Sequence, residues 1–467
     1  MSPESDFLSL SLNDSLKAGV RLLGFDRMTE IQAKSLPLVL QGEDVIAQAK
    51  TGSGKTAAFG LGVLQRLDIV RFEVQAMALC PTRELAQQVA DDIRALGKTT
   101  PNLKVTTLTG GVPLAAQVTS LNNGVHVVVG TPGRVLDHCE RNTVSFDALT
   151  CLVLDEADRM LDMGFQDDIE RILAHLPQQR QTLLFSATFP DGIHAIAQQY
   201  MQSPQHIEVD ASHDTPQGIT QRFVRVAHDG ERLEALTRTL MAEHDGSSLV
   251  FCNTKVQADE VADALSDLGF SAQALHGDYE QRERDQVMVQ FANHSVSVLV
   301  ATDVAARGLD VDEMGLVVNY QLAHDLDVHT HRIGRTGRAG AQGLAVTLLS
   351  EREGHKLECM LDERDGHDAL VIQFDGLPDK SVLSRAIRQA PNVTLRIEGG
   401  KKDKLRPGDI LGALTGEGGL DGADVGKIKI QAKRSFVAVH RSAAKRAIQK
   451  LERDKLKGRR FRVRVLS

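Results

Sequence analysis

The sequence predicts an α/β protein: two successive domains with parallel sheets, followed by a small basic βαββαβ module. Three observations carry that prediction. Short apolar runs alternate with amphipathic stretches over most of the chain, a polar break interrupts them near residue 210, and the balance of charge reverses near residue 390. At 467 residues the chain also exceeds what a single hydrophobic core supports.

The apolar runs come first. "DVIAQA", "QAMALC", "HVVVG", "CLVLD" and "TLLFSA" mark the first half; "SLVFC", "SAQAL", "VSVLVA", "GLVVNY" and "LAVTLL" mark the second. Between them, "RELAQQVADDIRALG" and "VQADEVADALSDLGF" place apolar residues at helical spacing. Fully apolar strands separated by helices imply parallel sheets covered on both faces. The polar stretch "EVDASHDTPQGIT" (208–220) reads as a linker, and "FDGLPDKSVLSRAIRQAPN" (374–392) as a second break. The expected domains are 1–208, 219–373 and 391–467.

Charge separates the last of these from the rest. Residues 390–467 hold 20 Lys and Arg against 8 Asp and Glu, while the preceding chain holds 34 against 54. Such a reversal points to modules with different partners, nucleic acid for the basic one. Composition excludes several other classes. Apolar residues at 42% and charged residues at 25% are those of a folded soluble protein. No apolar run nears the roughly 18 residues of a membrane span. The start, "MSPESDFLSL", lacks the pattern of a secretory signal, so a cytoplasmic protein is expected. Five cysteines without a C-x-x-C pair read as core thiols rather than a disulfide or zinc framework.

Chemistry gathers at the ends of the strands, as expected in an open α/β sheet. After "DVIAQ" comes "AKTGSGKT" (Ala49, Lys50, Thr51, Gly52, Ser53, Gly54, Lys55, Thr56), a phosphate-loop pattern. Its glycines let backbone N–H groups curl around phosphate oxygens at a helix N-terminus. Lys55 would reach the β- and γ-phosphates and the Thr56 hydroxyl would help hold Mg²⁺. After "CLVL" comes "DEAD" (155–158), where Asp155 fits a Mg²⁺ ligand and Glu156 would orient or deprotonate the attacking water. The second half has no phosphate loop but carries "HRIGRTGR" (331–338). Arg335 and Arg338 are placed to stabilise charge on a transferring phosphoryl group, which would couple hydrolysis to closure of the two halves.

Together these residues resemble the DEAD-box RNA helicases, across nearly every motif of residues 1–350. The resemblance implies two RecA-like α/β domains, ATP and Mg²⁺ as cofactors, and RNA as partner. "GFDRMTEIQ" (24–32) is similar to the adenine-recognising element, so Gln32 would read the base and Phe7 would contact it. Met28 and Glu30 stand where the family commonly has Pro. Pro81, Thr82 and Arg83 of "PTRELA", Gly110 and Gly111, and Thr131, Pro132, Gly133 and Arg134 of "TPGR" resemble the segments that grip the RNA backbone. Ser186 and Thr188 of "SAT" resemble the element linking hydrolysis to unwinding. In the second domain the resemblance assigns RNA contacts to Gly277 and Thr302, and nucleotide contacts to Gly308 and Asp310, the latter at the ribose.

The basic segment reads strand 393–398, helix from 406 to 416, strands 426–431 and 435–440, helix 442–453 and strand 460–466, the order of an RNA-recognition-motif sheet. Alternation assigns its faces. Phe461, Val463 and Val465 would point inward, and Arg460, Arg462 and Arg464 outward. Ile428, Ile430, Val437 and Val439 would face the helices, leaving Lys427, Lys429, Phe436 and His440 on an open basic face. Lys433 and Arg434 complete the expected RNA contacts. The segment resembles the RNA-binding domain of the DbpA-type subgroup, which implies targeting to 23S ribosomal RNA during large-subunit assembly; a monomer is expected. Arg434 replaces one usual aromatic, which favours recognition of a folded hairpin through basic residues. Two other functions compete: a general cold-adaptation or RNA-decay helicase, and an ATP-gated RNA clamp without productive unwinding.

Overall fold

Seven short strands build the first sheet: β1 (Val45–Gln48), β2 (Ala76–Leu79), β3 (Val105–Leu108), β4 (Val127–Gly130), β5 (Cys151–Asp155), β6 (Gln181–Ser186) and β7 (Gln205–Glu208). They lie in the order β3-β4-β2-β5-β6-β1-β7, each neighbour parallel. This is a computed structural model that describes residues 6–49, 53–209, 219–243, 246–306, 314–337, 342–362 and 373–466. The described residues fall into two compact units, one drawn from the chain up to Ser212 and one from the chain beyond it.

Alternation along each strand feeds two cores, one on either face of the sheet. On β5, Cys151 and Val153 join Phe59, Val89 and Ile93 on one side, while Leu152 and Leu154 join Met160 and Ile172 on the other. Every residue of β5 is buried, which is why it reads as an uninterrupted apolar run. Each fully buried Leu or Val contributes roughly 1.5–3 kcal/mol.

The second unit repeats the plan. Strands β8 (Ile219–Val226), β9 (Ser248–Phe251), β10 (Ala272–Leu275), β11 (Val298–Ala301), β12 (Leu316–Asn319), β13 (Gly343–Ser350) and β14 (Gln373–Asp375) form a parallel sheet in the order β10-β11-β9-β12-β13-β8-β14. The expected linker lies for the most part outside the described residues. The apolar runs identify β1, β2, β4, β5, β6 and β9 to β13. They do not identify β3, β7 and β14, which are sheet edges carrying polar residues ("VTTL", "QHIE", "QFD"), nor β8, whose residues alternate in burial.

The C-terminal sheet is antiparallel: β15 (Asn392–Ile397), β16 (Val425–Ile430), β17 (Ser435–His440) and β18 (Val463–Val465), ordered β16-β17-β15-β18. With the helices Pro407–Thr415 and Ala444–Arg453 this is the expected βαββαβ order. Leu395, Ile397, Val437, Val439 and Val463 meet those helices in a core of their own.

Two expectations for this sheet require correction. Val465 is 46% exposed rather than inward, because β18 is a three-residue edge strand with a neighbour on one side alone. The face bearing Phe436 is not open. Phe436 (1% exposed) packs with Leu466 against Val289 of the helix Gln281–Ala292, which belongs to the second parallel α/β layer. Hydrogen bonds rim this contact. Gln290 Nε2 donates to Leu466 O at 3.0 Å, Asn293 Nδ2 to Thr394 Oγ1 at 3.1 Å, and Asn392 Nδ2 to Asn293 O at 3.0 Å.

Candidate active site

The phosphate-loop segment leaves β1 at Ala49 and enters the helix Lys55–Gln65 through Gly54, whose φ of +90° favours glycine. Lys50, Thr51 and Gly52 lie outside the described residues. Lys55 is buried and its Nζ donates to Ala49 O at 3.0 Å. Thr56 is half-buried beside it. Gln32 ties this loop to a neighbouring helix. Its Nε2 donates to Gly54 O at 3.0 Å, its Oε1 accepts from Thr29 N at 2.8 Å, and Thr29 Oγ1 donates to Ser53 O at 2.7 Å. Phe7 requires correction as a base contact: it is 1% exposed, stacked on Phe25 at 5.9 Å inside the first core. The ring that reaches the surface there is Phe25, at 39% exposure.

Two strands away, β5 ends at Asp155. Its Oδ1 is buried with no hydrogen-bond partner among the described residues. Burial pushes this carboxyl up to about 7; Lys55 opposes that shift and Glu156 adds to it. Glu156 has a φ of +51°, a left-handed conformation uncommon for a residue with a Cβ. Its Oε2 lies 3.5 Å from Arg159 Nε.

Asp158, which the sequence reading did not single out, joins this turn to the end of β6. Ser186 Oγ accepts from Asp158 N at 3.1 Å and donates to Thr188 O at 2.7 Å. Asp158 Oδ2 in turn accepts from Ala187 N at 3.2 Å, Thr188 N at 3.0 Å and Thr188 Oγ1 at 3.1 Å. Burial opposes ionisation of Asp158, but donation by the Thr188 N–H and the nearby Arg159 and Lys55 charges outweigh it and lower the carboxyl's pKa. The signal was present, as the last letter of "DEAD".

The other half of the same sheet edge carries a second group. Strands β2, β4 and β3 are neighbours, and their ends deliver "PTRELA", "TPGR" and the Gly pair side by side. Pro81 and Thr82 are buried, and Thr82 Oγ1 caps the helix Arg83–Leu96 by accepting from Leu85 N at 3.2 Å. Gly110 leaves room for Arg83: a Cβ there would lie 2.6 Å from its guanidinium. Gly111, with a φ of +76°, and Gly133 are exposed. Thr131 precedes the helix Pro132–Glu140, and Pro132 is buried in its first turn. Arg134 Nη1 donates to Val112 O at 2.9 Å and Gln117 Oε1 at 2.7 Å, drawing the last two segments together.

In the second unit Gly277 is exposed after β10 and Thr302 is buried after β11. Arg335 follows the helix Leu326–Ile333 and is 5% exposed. Gly308, Asp310 and Arg338 lie outside the described residues. A hub missed in the sequence is Arg332, which pairs with Asp303 at 2.6 Å, donates to Asn253 Oδ1 at 2.7 Å and lies over the Phe251 ring. On the C-terminal sheet Lys427, Lys429, Lys433, Arg460, Arg462 and Arg464 are exposed and Arg434 is half-buried. Phe436 does not join them.

Comparison with known proteins agrees with this geometry. Residues 29–196 match the DEAD/DEAH box helicase family, 231–340 the helicase conserved C-terminal domain, and 394–465 the DbpA RNA binding domain. The chain is 50% identical over 444 residues to the ATP-dependent RNA helicase DbpA of Escherichia coli (strain K12), covering 95% of each chain. It is 43% identical to the DEAD-box ATP-dependent RNA helicase CshA of Geobacillus kaustophilus, over 74% of each chain. Among solved structures, Dbp5 of S. cerevisiae bound to RNA and ADP BeF3 superposes with a TM-score of 0.72 at 31% identity, covering 81% of this chain and all of that one. The phosphate loop, the acidic turn and the third, basic sheet thus have one common explanation: the chain belongs to the DbpA-type DEAD-box RNA helicases.

Proposed function

We propose that this helicase hydrolyses ATP to open short RNA duplexes locally, and that its C-terminal domain directs it to 23S ribosomal RNA during assembly of the large subunit. The observation that carries the reading is the division of one sheet edge. Lys55, Asp155, Glu156 and Ser186 occupy the ends of β1, β5 and β6, while Arg83, Gly110 and Arg134 occupy the ends of β2, β3 and β4. In this reading the loop from Ala49 to Thr56 binds the phosphates, Gln32 and the exposed Phe25 ring contact the base, and Glu156 orients water. Asp158, bonded to both Ser186 and Thr188, relays a change at the phosphates to the "SAT" segment. Phosphate-backbone contacts carry no sequence information. Selectivity therefore rests on the C-terminal domain.

Asp155 fits a magnesium ion, since its buried, unpartnered Oδ1 suits a hard cation and Thr56 lies beside Lys55 to share it. Among the described residues no cluster of three or more His, Cys, Asp or Glu could hold a metal, so substrate phosphates and water would complete the shell. When bound, the ion neutralises phosphate charge. No helix among the described residues is long and apolar enough to cross a membrane. A cytoplasmic, monomeric protein is proposed.

Strand displacement on a short RNA duplex tests the reading. ATP should support it and a slowly hydrolysed analogue should not sustain turnover. Arg335→Ala should lower hydrolysis by about 10³-fold or more while sparing ATP binding. Displacement that proceeds equally without hydrolysis, or full turnover in Arg335→Ala, contradicts it.

A further inference from the structure

Three guanidinium groups on the outer face of the C-terminal sheet converge on one carboxylate. Arg396 Nε donates to Glu398 Oε1 at 2.8 Å, Arg464 Nη2 to the same oxygen at 3.1 Å, and Arg434 Nε to Oε2 at 3.2 Å. Register produces the cluster. Arg396 lies opposite Arg464 across β15 and β18, and Glu398, two residues further along, projects from the same face.

Arg396 is 5% exposed and needs a counter-ion, and Glu398 is that partner. The pairing does not account for Arg434 and Arg464. Arg464 shares Oε1 with Arg396 and Arg434 takes Oε2, and among the described residues no second carboxylate lies within salt-bridge distance of either. Three positive charges against one negative leave an excess of two, at side chains 27% and 49% exposed. Like charges so close repel, and a second anion relieves that repulsion. Each guanidinium carries five N–H donors, and one of each is engaged by Glu398.

Position adds a second argument. Phe436 and Leu466 are closed off by Val289, so RNA cannot lie across the middle of this sheet. Arg396 stands directly opposite Phe436 in the β15–β17 register. The arginine cluster therefore begins where the closed contact ends. We propose that Arg434 and Arg464 form a fork that binds a phosphodiester of RNA, and that Glu398 is the positioning residue that aims it. The proposal rests on the reading of the C-terminal domain as an RNA-binding domain.

The test uses the full-length protein, without nucleotide, binding transcribed 23S rRNA across about 50 to about 300 mM KCl. Arg434→Gln and Arg464→Gln should each weaken binding about 5- to 10-fold and lower the slope of log affinity against log salt by about one. Glu398→Asp keeps the charge but withdraws the carboxylate by one methylene. It should weaken binding about threefold with the slope unchanged, which a purely neutralising carboxylate does not do. Native affinity and slope in both arginine variants overturn the fork, and native affinity in Glu398→Asp overturns the positioning role. Melting curves check folding, and should the other variants unfold, the exposed Arg464 decides the question by itself. Equal affinity of the native protein for 23S and unrelated RNA would sink the targeting reading; the fork is then still read from the salt slope on either RNA.

Discussion

Asp155 is the residue at which folding and function conflict most directly. Burial drives its carboxyl up to about 7, and its Oδ1 has no partner among the described residues. Below the ordinary carboxylate pKa of 3.8 the group is protonated in both folded and unfolded chains and has no effect. As pH rises toward 7 the unfolded chain releases the proton first, so this residue destabilises the fold increasingly, and the penalty levels off above 7. Asp155→Asn removes it. The variant, free of nucleotide and metal, should melt a few degrees above the native protein at pH 8 and show no gain near pH 4. A melting difference independent of pH contradicts this assignment. The placement of Lys55 and Glu156 at the ends of β1 and β5 was legible because each sits in a contiguous motif. Asp158 and Arg332 were not, since their partners Thr188 and Asp303 lie 30 and 29 residues away and only the fold brings them together.

At the scale of the element, burial on both faces decided what the sequence disclosed. β5 and β2 are buried throughout and read as strands at sight, whereas β3 and β7 at the sheet edges did not. Alternation placed Phe436 on the correct face of β17 but was silent on what covers it, because the partner Val289 stands far back in the chain. That contact is separate from the domain's own core. Phe436→Ala should therefore loosen the docking by about 3 kcal/mol while leaving the small domain folded. Limited proteolysis within 376–391 should accelerate at least tenfold with the circular dichroism spectrum retained. Cleavage at the native rate would show that the contact does not hold the domain.

For the molecule as a whole, the chain pairs an acidic enzymatic core with a basic third domain, 34 basic against 54 acidic residues before 390 and 20 against 8 after it. Counter-ion release gives such a domain affinity for any RNA. Selectivity needs a surface that fits one folded RNA, and the arginines gathered around Glu398 offer fixed geometry where a mobile basic tail offers none. The decisive measurement is the ATPase rate of the full-length protein with saturating 23S rRNA, set beside an unrelated RNA of equal length at the same salt. Stimulation at least tenfold greater by 23S rRNA is expected. Equal stimulation by both would contradict the view that the C-terminal domain directs this helicase to its substrate.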